Sequence, residues 1–321
     1  PSEFLTAGVF VIASFISIAT GSSVGTITAL GPIGVGLANS SGISLVLMLG
    51  ALVGGAMFGD NLSIISDTTI AATRSQGCDM KDKFRMNAKI AIPAAILTII
   101  LLLVFGAPEV RTSSGDLSYD LFSIIPYLFV LIVALMGVNV FVVLTGAIGL
   151  SSALLIIRGT SVIAISQIIW EGFTNMFEIF LLSMLIGGLS NMVAKEGGIN
   201  WIISKIKRFA KDEKTGELGI GALVSLADIC VANNTVAIII SGPIAKKMCA
   251  EFKIDPKRSA SLLDTFSCVF QGIIPYSAQV LIAAGFSEGA VAPFELVPFF
   301  WYQFILGVIT LISILAPRKN K

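Results

Sequence analysis

An apolar run from Ile43 to Phe58 leads directly into Gly59-Asp60-Asn61-Leu62-Ser63-Ile64-Ile65-Ser66-Asp67-Thr68-Thr69, a stretch with two carboxylates and four hydroxyls. A water-soluble core has no use for that arrangement, because unpaired acids are almost never placed inside one. In a bilayer, irregular backbone is tolerated only where protein buries it or where it lines a watery cavity, and an intramembrane Asp marks a functional site. The stretch therefore predicts an ion site in a broken transmembrane helix.

The rest of the chain fits that setting. Of its 321 residues 55% are hydrophobic and 13% charged, against about 45–50% and about 25% in soluble domains. Runs such as Ala88–Gly106 and Ala292–Ala316 reach the length of about 20 residues that a spanning helix needs. They do not alternate as barrel strands do. The fold class expected is an all-α polytopic membrane protein. The sequence contains no histidine, which excludes His-based metal sites and catalytic triads and leaves proton chemistry to carboxylates and water. Cys78, Cys230, Cys249 and Cys268 show no CxxC spacing and read as packing residues.

In chain order, Phe4–Leu37 is an apolar stretch interrupted at Gly21-Ser22-Ser23. Each arm is short for a span, which predicts a re-entrant hairpin over 4–38 with its tip at Thr20 to Ser23; two short spanning helices are the alternative. A broken helix follows over 43–73, then a charged loop from Arg74 to Lys89 and a spanning helix over 88–106. Residues 107–215 are read as connecting spans, with helices over Phe122–Asn139, Val140–Ile157 and Gly172–Ala194. They close with an amphipathic surface helix over Ile199–Ala210.

From residue 216 the first pattern recurs. A second hairpin is expected over 216–249, interrupted at Asp228 to Thr235, a second broken helix over 259–284, interrupted at Gln271 to Gln279, and an intact helix over 292–316. Ser241-Gly242-Pro243 in the second hairpin echoes Gly31-Pro32 in the first. The order hairpin, broken helix, intact helix thus occurs in 1–106 and again in 216–321. With the spans between them, the second copy is inverted relative to the first. By that symmetry the first repeat is expected to lack its N-terminal spans, since three spans and a surface helix precede the second. The same count places all of the 21 lysines and arginines except Arg111 and Arg158 on one side of the membrane. That bias makes the side cytoplasmic, together with the C-terminus, in a multi-pass protein of the inner (plasma) membrane.

Paired broken elements of inverted repeats put substrate and ions near the bilayer midplane. The candidate ligands are oxygen donors: Thr20, Ser22, Ser23, Asp60, Asn61, Ser63, Ser66, Asp67, Thr68, Asp228, Asn233, Asn234, Thr235, Asp264, Ser277 and Gln279. Hard oxygen ligands suit Na⁺ or H⁺ rather than a soft metal, and Asp60 and Asp67 are the first choices for Na⁺. Asp67 has a competing role as a helix N-terminal acid. Asp228 and Asp264 have one as well, in internal hydrogen bonds or a salt bridge to a nearby Lys or Arg. Glu178 is a weaker candidate, and Glu109, Glu171 and Glu295 sit near expected interfaces. No basic residue is placed at the midplane. A buried carboxylate that holds either a cation or a proton is in itself a mechanism for exchange.

The motifs Thr20-Gly21-Ser22-Ser23-Val24-Gly25-Thr26, Gly59-Asp60 and Ser66-Asp67-Thr68-Thr69 resemble the NhaC-type Na⁺/H⁺ antiporter family. The resemblance continues through Asn233-Asn234-Thr235, Ser241-Gly242-Pro243 and the region from Leu263-Asp264 to Ala278. It implies two inverted repeats with re-entrant hairpins, as in the ion transporter superfamily, and frequent dimer formation. It also implies exchange of Na⁺ for H⁺, or coupling of such ions to small solutes such as malate and lactate. Asp60, Ser63, Asp67, Thr68 and the tip from Thr20 to Ser23 would line the site. Ile64 stands where many relatives carry proline.

The expected function is secondary Na⁺/H⁺ antiport, with Na⁺, H⁺ and membrane lipid as partners, no nucleic acid, and no cofactor beyond the transported ions. The alternative is Na⁺- or H⁺-coupled transport of a small organic acid or amino acid.

Overall fold

The computed structural model describes residues 4–107, 125–126, 128–130, 132–133, 136, 138, 140–197, 201 and 211–316. All regular structure among them is helical. The helices are α1 (Leu5–Thr20), α2 (Ser23–Ser41), α3 (Leu45–Leu62), α4 (Asp67–Gln76), α5 (Met80–Phe105), α6 (Val140–Ile157) and α7 (Val162–Lys195). After these come α8 (Glu213–Val231), α9 (Asn234–Phe252), α10 (Pro256–Ile273), α11 (Ala278–Gly285), α12 (Pro293–Leu296) and α13 (Trp301–Leu315). Among the described residues Leu45–Gln76, Met80–Phe105 and Pro256–Gly285 are long and apolar enough to cross a membrane, and the bent pair Pro293–Phe299 with Trp301–Leu315 makes a fourth. The protein is a multi-pass membrane protein.

Helix α3 is apolar on every side as far as Gly59, and nearly all of it is buried, as befits a helix at the centre of a bundle. It serves as the axis for its neighbours. Helix α1 runs parallel to it, with Phe10 against Gly55, Ser17 against Gly59 and Ser63 Oγ donating to Ile18 O. Helix α2 runs antiparallel, with Ser23 against Asp60 and Gly34 against Met48 and Leu52. Helices α1 and α2 therefore form an antiparallel hairpin. Its tip turns at Gly21 (φ 66°), after which Ser22 caps α2 by accepting from Gly25 N.

The second hairpin is built alike. Helix α8 runs parallel to α10, with Glu217 against Arg258, Gly221 against Phe266 and Ala232 O accepting from Gln271. Its tip turns at Ala232 (φ 49°), and Asn233 caps α9 by accepting from Val236 N. The breaks correspond as well: α3 and α10 have 18 residues each, and the α-helices that follow, α4 and α11, are capped by Ser66 and Ser277.

Helices α3 and α10 cross antiparallel at the centre, where Cys268 Sγ lies 3.3 Å from Met57 O and Asn61 meets Asp264. Helix α4 packs on α9, joined by Gln76 Nε2 to Gly242 O at 2.9 Å. Helix α11 packs on α2 in the matching way, and Phe286 at its end covers Gly31.

Several expected boundaries change. The loop from Arg74 to Lys89 is helical except at Gly77–Asp79, because α4 continues to Gln76 and α5 starts at Met80 rather than at 88. Charged residues at a helix end continue the helix; they only lower the hydropathy of the window. The helix expected over 292–316 is not straight: it bends by 53° between Phe299 and Trp301, where Pro298 in a 3₁₀ segment lacks the N–H that a continuous helix needs. Helix α7 starts at Val162, not Gly172. The helices expected over Phe122–Asn139 and Ile199–Ala210 lie largely outside the described residues, as does the side chain of Glu178.

Close approach of α1 to α3 depends on glycine. A Cβ at Gly55 would collide with the Phe10 carbonyl oxygen, which is backbone and has little room to give. Gly55→Leu is expected to cost about 1–3 kcal/mol or more by overpacking and to lower the yield of monodisperse protein in size-exclusion chromatography. Gly36→Ala, at a position with nothing within 4 Å among the described residues, is expected to behave as wild type.

Candidate functional site

The two helix breaks and the two hairpin tips meet in one polar cluster. Asp60, in the last turn of α3, is buried and accepts from Ser23 Oγ at 2.8 Å. Ser23 Oγ accepts in turn from Gln279 Nε2 at 3.2 Å, and Gln279 Oε1 from Gln271 Nε2 at 2.8 Å. Gln271 Nε2 also reaches Ala232 O at 3.1 Å. One chain of hydrogen bonds thus runs from the first tip and first break through the second break to the second tip.

Asp264, on α10, forms the other half of the cluster. Its Oδ2 accepts from Asn61 Nδ2 at 2.9 Å and from Asn87 Nδ2 at 2.8 Å, and pairs with Lys83 Nζ at 2.7 Å. Lys83 is fully buried, and its Nζ also donates to Asn61 O at 2.6 Å and to Thr69 Oγ1 at 2.7 Å. The salt bridge weighed for Asp264 from sequence is therefore present, with a partner that sequence reasoning had put in a loop. The expectation of no basic residue at the site is corrected by Lys83, which enters because α5 begins three residues before it, at Met80.

The serines and threonines of the first break mostly shape backbone. Ser66 Oγ caps α4, accepting from Thr69 N at 3.2 Å, and lies 3.0 Å from Thr68 Oγ1; Ser63 Oγ donates to Ile18 O at 2.9 Å. Thr69 Oγ1 donates to Ser63 O at 2.7 Å, closing the break into a compact turn. Asp67 is exposed on the first turn of α4, and no hydrogen bond of the buried cluster runs through it. Its place is the favourable one for an acid at a helix N-terminus.

Of the other candidates, Thr20 bonds back to Ile16 O at 2.9 Å within α1, and Ser22, Asn233 and Ser277 act as N-caps. Asn234 Oδ1 accepts from the Thr235 amide at 3.0 Å, and Thr235 is half-buried beside it. Asp228 lies in α8, fully buried, with both carboxylate oxygens unpartnered among the described residues. Such a group is costly unless a cation, proton or water completes it. Sequence reasoning missed Lys83 and Asn87. The signal for both was periodic: Lys83, Asn87, Ile90, Ala91, Ala94, Thr98 and Leu102 form the buried stripe of α5, at the spacing of one helix face.

The chain is 25% identical to a malate-2H⁺/Na⁺-lactate antiporter of Bacillus subtilis, over 95% of this chain and 71% of that protein. It is 32% identical to the Na⁺/H⁺ antiporter NhaC of Alkalihalophilus pseudofirmus over 36% of this chain and 25% of that one. With NhaC of Bacillus subtilis it shares 24% identity over 97% of this chain and 76% of the relative. Residues 1–107 and 116–316 match the Na⁺/H⁺ antiporter family, and the chain belongs to that family.

Proposed function

We propose that the protein exchanges Na⁺ for H⁺ as a secondary active transporter, with the buried cluster around Asp60 and Asp264 as the exchange site. The observation that carries this reading is the joining of both breaks and both tips by hydrogen bonds that end on a buried carboxylate. A carboxylate among hydroxyl, amide and carbonyl oxygens takes Na⁺ as a hard ligand. In the same low-dielectric place it takes a proton when the cation leaves. Only one of the two is bound at a time, so each ion's arrival promotes the other's release.

Two inverted repeats, 1–106 and 216–321 joined by 107–215, give the framework. The antiparallel crossing of α3 with α10, the equal placing of caps and breaks, and the reciprocal packing of α4 on α9 and α11 on α2 support it. Alternating access then consists of the hairpins and half-helices shifting about the fixed cluster. Asp67, exposed at the same break, meets the arriving cation before Asp60 does. Asp228, with Asn233, Asn234 and Thr235 near the second tip, is a further place for a cation or proton.

The second reading is Na⁺- or H⁺-coupled transport of a small organic acid, motivated by the substrates named for one relative. Lys83, the basic residue at the cluster, is already engaged with Asp264. With that pair closed it is not presented to a solute carboxylate, which favours bare ion exchange. Proteoliposomes with an imposed Na⁺ gradient and an internal pH indicator decide between the two. A pH change without added solute is expected; a pH change that appears only with malate, lactate or an amino acid supplied would move the second reading to first place.

The protein lies in the inner (plasma) membrane, with the ends of α5, α8 and α10 that carry Lys81, Glu217 and Lys257 facing the cytoplasm. Lys257 pairs with Asp82 at 2.8 Å there. In a cysteine-free background, Lys81→Cys is expected to react with a membrane-impermeant thiol reagent in inverted vesicles and not in intact cells. Labelling from outside intact cells would reverse the topology.

A further inference from the structure

Lys83 is fully buried, and the three donors of its ammonium have three acceptors from three helices or their ends. These are Asn61 O on α3, Thr69 Oγ1 on α4 and Asp264 Oδ2 on α10, at 2.6, 2.7 and 2.7 Å. A main-chain carbonyl, a hydroxyl and a carboxylate are the donor types that hold a hard cation. The carbonyl also belongs to the last turn of a helix, the end whose dipole attracts positive charge.

A second observation is independent of the lysine. Asp264 Oδ1, Asn61 Oδ1 and Asn87 Oδ1 are all buried without a hydrogen-bond partner among the described residues. Asn61 and Asn87 each turn an amide nitrogen to Asp264 Oδ2, which fixes the amide orientation, since the opposite one would set oxygen against carboxylate. Three acceptors around one acid thus lack a positive partner, a costly state for buried oxygens.

We propose that the Lys83 ammonium is a tethered cation that holds one cation position on Asp264, and that the transported cation displaces it to bind Asp264, Asn61 and Asn87. This rests on the Na⁺/H⁺ exchange reading and adds to it a competitor, Lys83, and a ligand, Asn87. With Lys83 seated, the charge of Asp264 is cancelled, so the site is never left as a bare pair of acids between transport events. A cation enters by replacement, which keeps its net affinity low enough for release. Lysine suits this role because its charge is compact and rides on a flexible four-carbon stem.

The test is binding of radiolabelled Na⁺ to the purified full chain in detergent at one fixed pH. Lys83→Gln is expected to bind Na⁺ about tenfold tighter or more and to turn over more slowly in proteoliposomes, since nothing refills the site on release. Asn87→Leu is expected to weaken binding by about tenfold. On the wild-type chain, Na⁺ but not choline is expected to raise the reaction of Lys83 with a small amine-modifying reagent several-fold, read by mass spectrometry. This second measurement stands even if Lys83→Gln does not fold. Wild-type Na⁺ binding with no gain in folded Lys83→Gln, or with Lys83 reactivity unmoved by Na⁺, overturns the tether alone. Absence of Na⁺ binding to wild type and variant alike removes the exchange reading as well.

Discussion

Asp264→Asn is expected to lower the stability of the purified protein by about 3–5 kcal/mol, measured by thermal unfolding in detergent. Removing one partner of a buried ion pair leaves the other as an uncompensated charge. Lys83 and Asp264 are 0% and 1% exposed, so with Lys83 in its seat water does not relieve it. The cost comes mainly from the orphaned ammonium, and a second change that neutralises Lys83 is expected to recover a large part of it. The double variant Lys83→Gln/Asp264→Asn should therefore be more stable than Asp264→Asn alone, a coupling that a double-mutant cycle reads directly. Additive losses would mean that the two groups do not depend on each other. Exchange is expected to be lost in both variants.

Asp60→Asn is expected to reduce Na⁺-driven exchange at least about 100-fold while leaving the fold intact. The amide oxygen still accepts from Ser23 Oγ, so the hydrogen-bond chain to Gln279 and Gln271 survives. On the exchange proposed for the cluster, what disappears is the charge that would bind Na⁺ and the group that would take the proton. A loss of about 3 kcal/mol of charge-assisted binding corresponds to about two powers of ten. Asp67→Asn is expected to act differently: it removes an exposed acid, so the apparent affinity for Na⁺ falls by less than about tenfold and maximal turnover is retained. Full coupled exchange in Asp60→Asn would remove the central assignment.

How much of this was legible in the sequence follows from what interrupts an apolar run. Gly21-Ser22, Ser63 to Ser66, Ala232-Asn233 and Ile274 to Ser277 are visible because polar, Gly and Pro residues clustered inside a hydrophobic stretch are costly at membrane depth unless the helix ends there. In the structure the helices end at these residues. Asp60 was legible for the same reason. Lys83 was not: it lies in Met80-Lys81-Asp82-Lys83-Phe84-Arg85, where a hydropathy window sees only charge and reports a loop. Lys81 and Arg85 are indeed exposed, and only the helical phase shared with Asn87 and Ile90 separates Lys83 from them. Sequence pattern also could not separate Asp67 from Asp60. Both follow the same apolar run, but one ends a buried helix and the other opens α4 on its exposed side, with the buried Thr68 and Thr69 next to it.

The reciprocal seating of α11 on α2 has a consequence for how the chain is made. Phe286, which covers Gly31, emerges from the ribosome 255 positions later, a delay on the order of 10–50 s at about 5–20 residues per second. Through that interval the first hairpin is in the bilayer without its lid, its small-residue face open to lipid or to a chaperone. Completion of the first hairpin's packing thus waits for α11, and a nascent chain arrested before residue 278 should present the first hairpin to proteases that the finished protein withstands.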